Sequence, residues 1–306
     1  MKEFLPEVVC AFFAVPGGPA AWRLRRSRKI PYVLSLRGSD IPRPELAQHQ
    51  RLHLVTRPFL KRICQDAAGI VAVSEPLRRA ALALDSGLSI EVIPNGVDTE
   101  FFSPLEERTG PGEMPSIIFV GRLRKFKGVH HALRAMPMVE KALGRSATMT
   151  IVGDGPEREA LKALADDLRK QGITSEVRFA GWLDADAVRE VYRSASLLVL
   201  PSLVEGHPNV ILEAMASGVP CVASDVPGIR EVFSSKKEEG LLVPPQDDQA
   251  LAEAMTAVLS DESTWQKMAA AGIERAKAFS WETVAESYEV VLAQAVGRED
   301  EPSCAT

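Results

Sequence analysis

The stretch "SLLVLPSLVEGHPNVILEAMASGVPCVAS", residues 196–224, contains two apolar runs separated by a helical pattern. The first run ends in a loop with Glu205 and Gly206, and the helical pattern follows from residue 209 to residue 216. Apolar residues recur on every side of this helix, so it is expected to be packed all round. An apolar run, a helix and a second apolar run predict a β-α-β unit with two parallel strands.

The same alternation extends over most of the chain, and most of its apolar runs lack the polar residues of a half-exposed strand. Such runs are typical of parallel strands that are covered on both faces. With helical patterns at 156–171 and 184–194, they predict an α/β protein built from doubly wound, Rossmann-like sheets. The predicted strands are residues 8–13, 32–36, 69–74, 90–93, 116–121, 148–153, 177–181, 196–202, 220–224 and 240–244.

A segment rich in proline, glycine and charge, "SPLEERTGPGEMPS" (103–116), interrupts this pattern. It is expected to link two domains, with the boundary at residue 110. The second domain then has six strands and the first has about four, which is few for a doubly wound domain. The first domain is therefore expected to be abbreviated or to lack its first strands.

Length and composition are those of an ordinary globular protein of two domains. The chain has 306 residues, of which 46% are hydrophobic and 25% are charged. No apolar run reaches the roughly 18 residues of a membrane-spanning helix, and the N-terminus has no secretory pattern. The four cysteines form no C-x-x-C pair, so neither a zinc site nor a disulfide framework is predicted, and a reducing, cytoplasmic location is expected.

Charge is distributed unevenly. The net charge is -5, yet residues 1–65 hold twelve Lys and Arg against four Asp and Glu. This basic part favours an anionic partner, either a phospholipid surface at the inner face of the membrane or a phosphate-bearing acceptor. The alternative is a solvated basic helix over residues 20–29. Nucleic acid is not expected, because no aromatic residues are interleaved with the arginines from Arg23 to Arg28.

The residues that follow each strand carry the candidate chemistry, because ligands of open parallel sheets bind beyond the carboxyl ends of the strands. In "GRLRKFKG" (121–128), Gly121 ends a strand, and Arg122 and Lys127 follow it. An arginine fork and a lysine point charge suit a diphosphate, although basic residues at such a place are as often surface charges. The glycines of "GDGPERE" (153–159) predict a tight turn, either a plain one or one in contact with a ligand.

Glu213 is a single carboxylate in the apolar helix that Pro208 and Asn209 begin. A buried carboxylate without partners would be very costly, so Glu213 must find hydrogen-bond donors. These are either an internal arginine or backbone N–H groups, or the two vicinal hydroxyls of a ribose. The free N–H groups at the start of the same helix suit a phosphate. A ribose diol and a diphosphate within reach of one helix describe a nucleoside diphosphate.

Five motifs, in their order and spacing, resemble the large retaining family 4 of the glycosyltransferases, whose members have the GT-B fold and use UDP- or GDP-sugars. The resemblance covers roughly residues 5–295. It implies two Rossmann-like domains with a cleft between them. The motifs are "NGVDTEFFSP" (95–104), "GRLRKFKG" (121–128), "VGDGPERE" (152–159), "EGHPNVILEAMASGVPCVASDVPGIREV" (205–232) and "GLLVPPQD" (240–247).

The resemblance implies a role for each matched residue. Arg122 and Lys127 would hold the diphosphate of the donor and stabilise it as the leaving group. Glu213 would bind the ribose hydroxyls, and Glu205 would face the donor sugar as the third residue of the catalytic group. The other implied donor contacts are the Gly121 backbone, the N–H groups of Gly206, His207, Pro208, Asn209 and Val210, and Trp182 and Leu183 beside the base.

The resemblance further implies transfer with retention of configuration and without a protein nucleophile, the leaving phosphate helping to take the proton of the acceptor. No metal and no other cofactor are expected, because two cations serve the diphosphate. The last helix would pack on the first domain. The domains would then be residues 1–110 with 283–306, on the acceptor side, and residues 111–282, which bind the nucleotide sugar.

The chain departs from the family pattern in two places. It is expected to begin after the family's first strand and Gly-rich loop, and so to lack part of the acceptor domain. Arg37, in "LRGSD" (36–40), stands where many members have a histidine that faces the donor sugar. It is expected to contact the donor sugar or an acidic or phosphorylated acceptor.

Two alternatives to a sugar transferase remain. One is a nucleotide-sugar-binding remnant that is inactive alone or depends on a partner. The other, a sugar-nucleotide epimerase, is disfavoured by the paired motifs around Lys127 and Glu213. The histidines predict no metal site, because His49 and His53 have a zinc-like spacing but no evident third ligand.

Overall fold

The computed structural model describes residues 5–38, 40–41, 50–105, 110–236 and 238–297. The chain divides into two compact units, residues 1–95 with 281–306 and residues 96–280. Each unit contains one parallel sheet, and every predicted apolar run corresponds to a strand. The α/β prediction is therefore confirmed.

The elements are numbered in chain order. The strands are β1 Val9–Phe12, β2 Tyr32–Leu36, β3 Gly69–Ala72, β4 Glu91–Val92, β5 Ser116–Val120, β6 Thr148–Val152, β7 Glu176–Gly181, β8 Leu197–Leu200, β9 Cys221–Ser224 and β10 Gly240–Val243. The α-helices are α1 Gly18–Arg28, α2 Gln50–Gln65, α3 Glu75–Leu82, α4 Val129–Leu143, α5 Arg158–Lys170, α6 Ala185–Ser194, α7 Asn209–Ala216, α8 Pro227–Arg230, α9 Asp248–Ser260, α10 Glu262–Lys277 and α11 Trp281–Ala295.

The first unit has a sheet of the order β1-β2-β3-β4, in which all pairs are parallel. Every residue of β2 is buried, because both faces of the sheet are covered. Leu34 and Leu36 belong to the cluster on one face, and Val33 packs with Val284 and Val291 of α11 on the other. Two covered faces explain why the strand is mostly apolar and does not alternate between apolar and polar residues.

The second unit has a sheet of the order β10-β9-β8-β5-β6-β7, again wholly parallel. From β5 the chain winds outward through β6 and β7, and from β8 it winds in the opposite direction through β9 and β10. The switch point of this doubly wound sheet therefore lies between β5 and β8. Ligands of such sheets bind in the crevice that the loops after these two strands form.

The division between the units falls after Asn95, which differs from the boundary predicted at residue 110. The backbone N–H of Val97 donates to the Phe279 oxygen at 2.8 Å, so residue 97 is already tied to the second unit. The Phe102 ring also packs edge-on against Tyr192 of α6, with ring centroids 5.8 Å apart. The composition of 103–116 indicates a loop, but these contacts hold the chain before it to the second unit. Residues 106–109 of that loop lie outside the described residues.

Candidate active site

The strands β5, β6 and β7 end side by side, and the loops that follow them touch through backbone atoms. The N–H of Gly121 donates to the Val152 oxygen at 3.0 Å, and that of Gly153 donates to the Gly181 oxygen at 2.7 Å. A Cβ atom on Gly153 would lie 2.0 Å from the Gly121 oxygen. Glycine at residue 153 thus allows the loops after β5 and β6 to meet at this edge.

A pocket of about 560 Å³ opens beyond these three strand ends. Four of the predicted site residues line it, namely Gly121, Arg122, Trp182 and Leu183. The other lining residues are Val120, Arg124, Val152, Gly153, Asp154, Gly155, Pro156 and Val188. The "GDGP" turn is therefore part of the pocket wall, where the Leu123 N–H donates to the Asp154 oxygen at 2.9 Å.

Arg122 and Trp182 present accessible groups to this pocket. The Arg122 side chain is exposed and makes no hydrogen bond or ion pair with the described part of the chain. Trp182 is 78% exposed, an unusual state for so large an apolar side chain. A planar cation and a planar aromatic surface at one pocket can contact a phosphate and a nucleobase respectively.

Lys127 and Glu205 form an ion pair across the switch point. The Lys127 Nζ lies 2.6 Å from the Glu205 Oε1, and the two side chains are 18% and 9% exposed. The loops that carry them are joined by a second bond, from the Leu203 N–H to the Phe126 oxygen at 2.7 Å. The structure thus brings two of the three predicted catalytic residues together, on the loops after β5 and β8.

Glu213 lies partly buried on α7, and its described partner is a phenol. The Tyr192 hydroxyl donates to the Glu213 Oε2 at 2.9 Å, and it also lies 3.2 Å from the Val210 oxygen. Burial raises the pKa of Glu213, and the bond from Tyr192 lowers it in part. The predicted protein partner, an arginine or backbone N–H groups, is thus replaced by Tyr192. The other carboxylate oxygen makes no hydrogen bond within the described residues.

Tyr192 was not singled out by the sequence. Its side chain is completely buried, and burial, followed by the charge of Glu213, raises the pKa of the phenol. The phenol therefore remains a hydrogen-bond donor at neutral pH. A single tyrosine in the amphipathic pattern of α6 is the only signal the sequence offers for this contact.

The segment that begins α7 departs from its implied role at Pro208. Pro208 lacks an N–H, so it cannot donate to a sugar or phosphate, and the implied set is corrected to its neighbours. His207 is 7% exposed and packs against the Phe279 ring, with ring centroids 5.6 Å apart. Asn209 is exposed at the first position of the helix. Gly206 lies under α8, since a Cβ atom on Gly228 would meet the Gly206 oxygen at 2.5 Å.

Arg37 belongs to the first unit, where it follows β2. Its guanidinium lies 5.4 Å from the centre of the Phe12 ring. The loop around it is held by Asp40, a buried carboxylate that the sequence did not indicate. Asp40 accepts from the backbone N–H groups of Arg37 at 3.1 Å, Gly38 at 2.7 Å and Ala14 at 2.7 Å, and so ties the loops after β1 and β2 together.

No group of three His, Cys, Asp or Glu side chains with the spacing of metal ligands occurs among the residues that the structure describes. His49 lies outside them, as does the side chain of His53. Over the same part of the chain, no helix has both the length and the apolar character needed to cross a bilayer.

Two sequence families cover most of the chain. Residues 114–261 match the family described as Glycosyl transferases group 1, and residues 1–101 match Glycosyltransferase Family 4. With the two Rossmann-like units and the strand-end pocket, these matches place the chain among the GT-B proteins. The chain belongs to family 4 of the glycosyltransferases.

Similar proteins come from several bacteria. TuaC of Bacillus subtilis, whose name assigns it to teichuronic acid biosynthesis, is 34% identical over 265 residues, which are 83% of this chain and 62% of TuaC. A glycogen synthase of Mycobacterium tuberculosis is 35% identical over 70% of this chain and 50% of its own. A GDP-mannose-dependent phosphatidylinositol monomannoside mannosyltransferase of the same species is 32% identical over 76% and 63%. The chain thus spans between half and just under two thirds of these relatives.

Solved structures confirm the GT-B fold. Sucrose-phosphate synthase from Thermosynechococcus elongatus superposes with a TM-score of 0.78 at 25% identity, over 96% of this chain and 74% of that one. HepE from Anabaena, solved with UDP and glucose, superposes with a TM-score of 0.77 at 20% identity, over 94% and 77%.

Proposed function

We propose that this protein is a glycosyltransferase that moves a sugar from a UDP- or GDP-sugar to a glycan, lipid or small-molecule acceptor with retention of configuration. The observation that carries the proposal is the set of groups around the switch point of the second unit. Beyond neighbouring strand ends lie a pocket with an accessible arginine, a lysine held by a carboxylate, and a helix with a partly buried glutamate. Membership of the glycosyltransferase family supports the same conclusion.

Arg122 and Lys127 are proposed to bind the diphosphate. The Arg122 guanidinium makes no hydrogen bond or ion pair with a described residue, so it is available to a ligand. Lys127 is oriented by Glu205, whose Oε1 lies 2.6 Å from the Lys127 Nζ. Charge that develops on the leaving phosphate as the glycosidic bond breaks is stabilised by donors already in position. Glu205 would then serve both to hold Lys127 and to face the donor sugar.

Glu213 is proposed to bind the ribose. An ionised carboxylate accepts several hydrogen bonds, and only one of the Glu213 oxygens is engaged by Tyr192. The remaining oxygen suits a vicinal diol. Trp182 and Leu183 would lie beside the base, in a pocket whose volume of about 560 Å³ is ample for a nucleobase.

The proposed reaction needs no protein nucleophile. As the donor bond breaks, the leaving phosphate oxygen takes the acceptor's proton on the same face of the sugar, and the acceptor oxygen forms the new bond to the anomeric carbon. The protein then contributes positioning and charge stabilisation. No metal is proposed, because Arg122 and Lys127 serve the diphosphate.

A panel of radiolabelled nucleotide sugars, incubated with the protein and a membrane extract, tests this function. Transfer of label to the extract, or slow release of free sugar, is the expected result. The alternative is a nucleotide-sugar-binding remnant or a partner-dependent subunit. Binding of a nucleotide without transfer or hydrolysis of any donor would support this alternative.

Tyr192→Phe is expected to shift the pH dependence of nucleotide binding. The hydroxyl bond lowers the pKa of Glu213, so the variant's pKa should rise further above the usual value. Ribose binding needs the ionised carboxylate, so nucleotide affinity should fall as the pH drops through the pKa of Glu213. This fall should occur at a higher pH in the variant than in the wild type. At acid pH the variant should bind roughly fivefold more weakly.

Calorimetry from neutral to acid pH measures this shift. Tyr288→Phe is the matched control, because it removes a phenol hydroxyl that pairs with Ser35 at 2.7 Å in the first unit. Superimposable pH curves for wild type and Tyr192→Phe would contradict the role given to Tyr192.

The location stays a prediction. We propose a cytoplasmic protein that contacts the inner face of the membrane, because residues 1–65 carry an excess of basic over acidic residues. Cys10, Cys64 and Cys221 are free thiols, which suits a reducing compartment.

A further inference from the structure

A cationic pocket lies in the first unit between α1 and the end of α2. Its volume is about 490 Å³, and five charged side chains line it. Arg25 and Arg26 lie in the last turn of α1, and Lys29 follows the helix, four residues after Arg25 and three after Arg26. Arg62 and Asp66 lie one turn apart at the end of α2. Four cations and one carboxylate therefore line the same pocket.

Asp66 organises this pocket without neutralising it. Its Oδ2 accepts from the Trp22 indole N–H at 2.8 Å and lies 3.4 Å from Arg26 and 3.5 Å from Arg62. The bond from Trp22, followed by the nearby arginines, lowers the pKa of Asp66, so it stays ionised. Arg25 makes no side-chain hydrogen bond with the described part of the chain.

The charge of the pocket is positive in sum. Both helices end here, and the negative ends of their dipoles stabilise basic residues in the last turns. The negative charge of Asp66 and of the two helix ends is smaller than the positive charge of the four cations. A pocket with a net positive charge and basic side chains that can donate hydrogen bonds fits a phosphate group.

Aromatic side chains border the pocket on the same helix faces. Trp22 precedes Arg25 and Arg26 by one turn, and its ring lies 5.1 Å from the Arg26 guanidinium. Phe59, one turn before Arg62, packs edge-on against Trp22 with ring centroids 5.7 Å apart and is 42% exposed. Aromatic rings beside a cluster of cations are typical of surfaces that rest in the headgroup layer of a bilayer.

We propose that this face, formed by α1 and the end of α2, docks on an anionic membrane with a lipid phosphate group in the cationic pocket. The charge of the chain supports the orientation. Outside residues 1–65, with their excess of cations, the chain holds 24 basic against 37 acidic residues, so an anionic surface attracts the first part and repels the rest. This proposal rests on the membrane contact proposed above and does not depend on the donor site.

Flotation of the full chain with lipid vesicles tests the proposal. The protein should float with vesicles of phosphatidylcholine mixed with phosphatidylglycerol and stay behind with phosphatidylcholine alone. Arg25→Gln combined with Arg62→Gln should weaken vesicle binding roughly 30-fold, since each cation near an anionic surface contributes about a factor of five. Binding should also weaken as salt is added.

Arg23→Gln combined with Arg28→Gln is the matched control, because it removes the same charge from residues outside the pocket. Circular dichroism and thermal unfolding confirm that both variants fold. Equal loss in the two double variants, or no binding of the wild type to anionic vesicles, would overturn the proposal. If calorimetry showed that the protein binds inorganic phosphate but the protein did not float with anionic vesicles, a lipid would not be the occupant of the pocket.

Discussion

Arg122→Ala is expected to lower kcat/KM by about two to three orders of magnitude, the usual effect of removing a group that stabilises charge in the transition state. The guanidinium is exposed at the end of β5 and makes no bond to the described residues, so its loss should leave the melting temperature nearly unchanged. The assay uses whichever nucleotide sugar the wild type turns over in the panel.

Lys125→Ala is the control for this variant. Lys125 is an exposed cation on the same loop that does not line the pocket. It should retain turnover within a factor of about two, because exposed charges outside a site contribute little. If Arg122→Ala kept wild-type turnover, Arg122 would be a surface residue without a catalytic role. If the loss of turnover came with a large fall in melting temperature, Arg122 would be a structural residue.

Gly128→Ala is expected to destabilise the second unit by about 2–4 kcal/mol. Gly128 has a φ of +67°, where an L-residue costs about 1 kcal/mol. Its Cβ would also lie 2.0 Å from the Pro201 oxygen, so the backbone after β8 must move, at a further cost of about 1–3 kcal/mol. A fall in the melting temperature of roughly 5–15 °C should follow.

The structure supplies a matched control for this substitution at the other end of α4. Gly144 has a φ of +65°, and a Cβ there would meet nothing within 4 Å. Gly144→Ala should therefore show only the conformational cost, about 1 kcal/mol. Equal losses in the two variants, measured by denaturant unfolding, would show that the contact with Pro201 contributes nothing.

Gly128→Ala should also reduce activity, because the displaced backbone at Pro201 leads into the loop of Glu205. If the folded variant were fully active despite its lower stability, the loop of Glu205 would have no role in the donor site.

The fold could be predicted from the sequence because burial on both faces leaves a simple pattern. Strand β8 is apolar throughout and β2 is apolar except for Ser35, and each lies where the sequence has such a run. The unit boundary could not be predicted in this way. Composition indicates a linker at 103–116, whereas the division depends on the contacts of Val97 and Phe102 with residues far along the chain.

The candidate site, too, could be predicted from the sequence only in part. Arg122, Lys127 and Glu205 follow strands directly, so the topology of a parallel sheet predicted their common edge. Tyr192 and Asp40 were missed, because their partners are set by packing between elements and leave no local signal. The pairing of Lys127 with Glu205 was also missed, since the two residues are distant in sequence and meet only where β5 and β8 are neighbours.

The central claim is that the second unit binds a nucleoside diphosphate through Glu213. Titration calorimetry with UDP, GDP and ADP, on wild type and Glu213→Ala, tests it most directly, with Glu253→Ala of α9 as the control. At least one nucleotide should bind the wild type and the control alike, and Glu213→Ala should bind it roughly 10- to 100-fold more weakly. Binding of none of the three, or equal affinity in Glu213→Ala, would contradict the claim.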